Sequence, residues 1–148
     1  GHGFKATGAV RLSGAQISGN LSCSAGKFEP EEGDALIADG IAVKGYVHLN
    51  EGFKANGEVR LVGAQIGSSL VCSDGQFASK SEYALSADRA VIQGDLVLKS
   101  KFEATGTVAL HSAHIGGNLS CAGGHFASKG EYAIYAGSIV VKGNVFFI

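Results

Sequence analysis

The chain has 148 residues, a formal net charge of -1, 23 glycines, one proline (Pro30), three cysteines and no methionine or tryptophan. This length supports one domain with its own core. The small net charge leaves no basic footprint for nucleic acid, and apolar runs of only a few residues cannot span a bilayer, so neither nucleic-acid binding nor direct membrane insertion is expected.

Taken from the N-terminus, Gly1 and His2 read as a tag remnant. Phe4 then opens a stretch in which Val10, Leu12, Ala15, Ile17, Leu21 and Cys23 alternate with polar residues or glycine. A second stretch opens at Phe28 and places Leu36, Ala38, Ile41, Val43, Val47 and Leu49 in the same way. Alternation over short runs broken by glycine predicts strands with one buried face. No 3.6-residue pattern persists long enough for a helix. The pair of stretches recurs from Phe53 and Phe77, and again from Phe102 and Phe126. Cys23, Cys72 and Cys121 are 49 residues apart, and the six phenylalanines are spaced 24, 25, 24, 25 and 24. Such a period is the signature of a stacked repeat. The last residues, Val145 to Ile148, are strongly apolar and carry no evident cap, so the chain is expected to be part of a longer protein.

The fold expected is all-β: a single-stranded parallel β-helix, or β-solenoid, of six coils of 24–25 residues. It forms one domain over residues 1–148, with three 49-residue repeats starting near Phe4, Phe53 and Phe102. Right-handed winding is expected on general grounds for coils of this length. Each coil has room for three short strands, and coils in a parallel ladder sit about 4.8 Å apart, giving a rod on the order of 29 Å long. Three inward columns follow. They run Val10, Leu36, Val59, Leu85, Val108, Ile134; Ile17, Val43, Ile66, Ile92, Ile115, Val141; and Leu21, Val47, Leu70, Leu96, Leu119, Val145. No single coil could build such a core alone. Gly8, Gly19, Gly45, Gly57, Gly94, Gly106, Gly117 and Gly143 are expected at corners, where positive φ is accessible to glycine. Even coils should carry a longer loop, at Glu29 to Asp34, Ala78 to Tyr83 and Ala127 to Tyr132.

The cysteines share a column with Leu49, Leu98 and Phe147, two coils (about 10 Å) from one another. That is too far for a disulfide, and their apolar neighbours predict buried small hydrophobes. His111 and His114 should face different ways, with His111 one coil above Asp88 as a surface His–Asp pair. No metal site, no cofactor and no catalytic residue set is read from the sequence.

Two surfaces are candidates for binding. Tyr83 and Tyr132 occupy equivalent loop positions, with Tyr135 nearby, and aromatic faces with wet hydroxyls suit a glycan. Val71, Val91, Val97, Val140 and Phe146 are outward positions that turn apolar toward the C-terminus, and exposed apolar surface marks interaction sites.

The runs Ile17 to Leu21, Val43 to Val47 and Ile115 to Leu119 resemble the glycine-containing rungs of bactofilins, bacterial polymer-forming cytoskeletal β-helices. The longer unit, Phe-x-Ala-x-Gly-x-Val-Arg-Leu, is similar to bacterial repeat proteins labelled membrane-associated oxidoreductases. These resemblances imply a bacterial source, and a place in the cytoplasm or on the cytoplasmic side of a membrane. The function expected is that of a structural or interaction module, a rigid scaffold contacting itself or other parts of a parent protein. The alternative is a carbohydrate-binding or carbohydrate-active β-helix.

Overall fold

The structure, a computed structural model, describes residues 3–148; Gly1 and His2, read as a tag remnant, lie outside them. Every strand pairing is parallel, and strands separated by one coil lie side by side. The chain is a β-solenoid with no helix among the described residues. The three inward columns pair residue for residue as the alternation predicts. Val10 meets Leu36 and Leu36 meets Val59; Ile17 meets Val43; Leu21 meets Val47; each column continues to Ile134, Val141 or Val145. The central coils seal their core, with Leu36, Val59, Leu85 and Val108 fully buried.

The geometry corrects four expectations. First, each coil carries four strand positions rather than three, because the phenylalanine segment forms a ladder of its own. Second, each ladder holds six rungs, which makes about five turns between the first and the last and a rise of about 24 Å. Third, like residues do not always share a rung. The rings of Phe4, Phe28, Phe53, Phe77, Phe102 and Phe126 form one stack, with centroids 5.1–5.3 Å apart. Their backbones, however, are offset: Phe28 pairs with Ala6 and Ala55, and Phe77 with Ala55 and Ala104. In odd coils the phenylalanine sits two residues ahead of the rung and reaches into the stack past a small alanine. The 24/25 spacing is therefore the visible trace of two interleaved coil types.

The fourth correction concerns glycine. Of the eight expected corner glycines only Gly106 has positive φ, at 125°. The left-handed corners instead use Gly14, Gly40 and Gly63 in the first three coils, then Arg89, Ser112 and Ser138 at the same turn. There the N–H three residues on closes the turn, as from Ala15 to the Leu12 carbonyl and from Ala113 to the Leu110 carbonyl. A left-handed third residue is what this turn demands. Gly45, Gly94, Gly117 and Gly143 do different work: a Cβ on any of them would collide with a polar side chain of the coil before.

The even-coil loops also diverge. In coil 4 the expected loop is absorbed into one strand, Gln76–Ser86, with register breaks between Ala78 and Tyr83 and between Tyr83 and Leu85. It pairs with the long strand Glu103–Ala109. In coil 2 Pro30 occupies the equivalent of Ser79 and removes a backbone donor, so no strand continues there. In coil 6 the strand His125–Ala127 stops before Ser128.

Candidate functional site

The three tyrosines do come together. The register breaks in Gln76–Ser86 set Tyr83 opposite Thr107, and the Thr107 hydroxyl donates to the Tyr132 carbonyl at 2.6 Å. Ser128 Oγ lies 3.2 Å from the same hydroxyl and accepts from the Gly130 N–H at 3.0 Å, which shapes the approach to Tyr132. Tyr132 and Tyr135 pack with ring centroids 5.1 Å apart and planes tilted by 37°. Glu82, Tyr83, Thr107, Tyr132 and Tyr135 line a cleft of about 240 Å³. The Tyr83 hydroxyl is pushed above its ordinary pKa, first by the Glu82 carboxylate and then by burial and more distant Asp88 and Glu58.

Coils 2, 3 and 4 share a polar network that the sequence reading did not single out. Glu58 is only 7% exposed. Its Oε2 accepts from Ser86 Oγ at 2.6 Å and from Arg60 Nη1 at 3.2 Å. Arg60 also donates from Nε and Nη2 to Asp39 Oδ2 at 3.1 and 3.0 Å, and Asp39 Oδ1 accepts from the Val62 N–H. Burial raises the Glu58 carboxyl above the usual carboxylate range, against the pull of Ser86 and Arg60. The usable signal in the sequence was the Glu58–Arg60 spacing on one strand face, one coil from Asp39. Glu58 Oε2 and both Asp39 carboxylate oxygens serve protein donors, which describes a structural clamp between coils 2, 3 and 4.

Asp88 repeats the role of Asp39 one repeat later and corrects the expected His–Asp pair. Its Oδ1 accepts from the His111 backbone N–H at 2.9 Å, while the imidazole stacks on Tyr135 at 5.5 Å. His111 Nδ1 is buried without a hydrogen-bond partner. His114 sits on a different ladder, exposed, so the two histidines do not converge. Cys72 and Cys121 are buried and Cys23 is half-buried, all as free thiols. Burial raises the Cys23 and Cys121 thiols to about 11 and Cys72 higher still. Among the described residues no group of three or more His, Cys, Asp or Glu side chains is placed to hold a metal ion.

The five apolar outward residues fall on two ladders. Val71 and Val97 are rung neighbours and half-buried, and Ser120 separates them from Phe146. Val91 and Val140 belong to the other ladder, with His114 between them. Apolar exposure concentrates instead on the last coil, where Val140, Val145, Phe146, Phe147 and Ile148 are 43, 47, 37, 66 and 84% exposed. The sequence reading also passed over Tyr46 and His48, whose rings stack at 3.8 Å beside the Val71 column. No family model, curated protein or solved structure matches the chain, and what the structure supports of the resemblances is the β-solenoid repeat architecture itself.

Proposed function

We propose that this chain is a rigid β-solenoid scaffold that acts through protein–protein contact, including contact with itself. The observation that carries the reading is the side face where Val71 and Val97 are rung neighbours beside the stacked Tyr46 and His48 rings, since contiguous apolar surface marks interaction sites. Bacterial origin with a cytoplasmic or peripheral membrane setting belongs to the same reading. Light scattering across a wide concentration range tests it. The mass should rise with concentration; a strictly monomeric mass throughout overturns it.

The tyrosine cleft favours a second reading, carbohydrate binding. Three phenol rings lining one cleft offer stacking faces and hydrogen bonds to a sugar, and Glu82 beside them adds a polar contact. A glycan array decides this: binding that disappears in Tyr132→Ala supports it, and no binding to any glycan ends it.

A further inference from the structure

We propose that the tyrosine cleft is a site for a small methylated ammonium ion, held on the rings of Tyr83, Tyr132 and Tyr135 beside the Glu82 carboxylate. The assignment is independent of the scaffold reading, and it puts a cation where the second reading puts a sugar.

Charge decides between the two. Of the five residues that line the cleft, Glu82 alone carries a charge. Among the described residues the ion pairs join Lys5 to Glu29 and Arg60 to Asp39 and Glu58, so the Glu82 carboxylate has no cationic partner. Lys80, two residues before it on the strand Gln76–Ser86, does not pair with it either. The Tyr83 hydroxyl registers the resulting field, since Glu82 is the first cause of its raised pKa, ahead of burial, Asp88 and Glu58. A place that resists a phenolate also resists an anionic ligand and favours a cation.

Hydrogen-bonding capacity in the cleft is short. Thr107 is 3% exposed, and its hydroxyl is already engaged by the Tyr132 carbonyl at 2.6 Å and by Ser128 Oγ at 3.2 Å. A sugar, which needs several directional partners, finds only phenol hydroxyls and one carboxylate. A primary ammonium is strongly hydrated and brings three N–H donors to satisfy. A methylated ammonium spreads its charge over methyl groups that rest on ring faces, which is how aromatic side chains recognise quaternary ammonium.

The rings are placed before a ligand arrives. Tyr132 and Tyr135 pack at 5.1 Å, and the His111 imidazole stacks on Tyr135 at 5.5 Å. Thr107 ties the Tyr132 carbonyl to coil 5, and Ser128 Oγ holds the Gly130 N–H two residues earlier. Tyr83 stands opposite Thr107 where the register breaks put it. Little ordering is then left to oppose binding. Size agrees: the cleft of about 240 Å³ is smaller than the roughly 300–1,000 Å³ that encloses a drug-sized ligand, so it takes a headgroup.

Intrinsic tyrosine fluorescence reports on the site, because the chain has no tryptophan and the cleft holds three of its four tyrosines. The full chain is titrated with choline and with the uncharged analogue in which carbon replaces the nitrogen. Choline should give a saturable change with a Kd on the order of 1 mM, and the uncharged analogue should bind at least about tenfold more weakly. Phosphocholine, which brings an anion toward Glu82, should bind more weakly than choline. Glu82→Gln should weaken choline binding about threefold to fivefold and Tyr132→Leu about tenfold. Tyr132→Phe, which keeps the ring, should change it little; far-UV circular dichroism checks that each variant folds. Equal binding of choline and its uncharged analogue overturns the assignment. So does choline binding that survives both Glu82→Gln and Tyr132→Leu, or phosphocholine binding tighter than choline. No saturable response to choline overturns it as well, and uncharged glycans bound on the array would then give the cleft to a sugar.

Discussion

Glycine and its neighbours set the geometry at the scale of single residues. Gly117 lies against the Asp95 carboxylate that caps the Asn118 N–H, so a methyl group there displaces the cap. Gly117→Ala should destabilise the chain by about 2 kcal/mol, the sum of a lost hydrogen bond and local overpacking, whereas Gly19→Ala, in open space, should stay within about 0.5 kcal/mol. Urea unfolding of the two variants at a concentration where the chain is monomeric makes the comparison. Glu58 poses the opposite problem, a carboxylate whose folded pKa is raised by burial. A raised carboxyl pKa means that the folded state binds the proton more tightly than the unfolded one. Its stabilising contribution is then complete below the ordinary value and is lost as pH rises through the folded value. Glu58→Gln keeps an acceptor for Ser86 and removes the titration, so its stability relative to wild type should improve from pH 4 to pH 8; a constant difference would contradict this. Neither role was legible from composition. The sequence shows where glycines recur but not which coil presses on them, and Glu58 has no counterpart in the other repeats, where Ala9 and Thr107 take its place.

The aromatic stack and the long strands carry the argument at the level of elements. Phenylalanine spacing alone disclosed the stack, because six of the eight phenylalanines recur every 24 or 25 residues and a dry interior needs like residues at like depth. Phe77 is 1% exposed with a ring on either side. Phe77→Ala should cost about 3–5 kcal/mol, against about 1 kcal/mol for the half-solvated Phe4→Ala; calorimetric or denaturant unfolding separates them. The strand Gln76–Ser86 was not legible, since its middle, Ser79 to Glu82, is polar and reads as a turn. Pairing with the long strand of coil 5 overrides that local preference. The equivalent stretch of coil 6 leans on Thr107, which is 3% exposed and holds the Tyr132 carbonyl. Thr107→Val should cost about 1–2 kcal/mol and accelerate amide exchange across residues 128–132, with little effect on coils 1 to 3.

For the whole molecule, stability is a sum over neighbouring coils, because each coil touches only the one before and the one after. The unit that matters is then the odd–even pair and not the single coil. Eight residues separate the rung residues Phe28 and Leu36 in coil 2, but only four separate Ala55 and Val59 in coil 3. An even coil therefore bulges where an odd coil runs straight, and the bulge of Tyr83 fits against the straight Glu103–Ala109 strand. Deleting residues 53–101, one whole 49-residue repeat, seats coil 5 on coil 2 in the even-to-odd step the chain already uses. That variant should keep its β circular dichroism and unfold cooperatively at lower denaturant. Deleting residues 53–76, a single coil of 24, seats coil 4 on coil 2 and sets two bulged segments face to face. It removes fewer residues and less buried core, yet it should be the less stable of the two. A midpoint order opposite to this would mean that coils stack without regard to type.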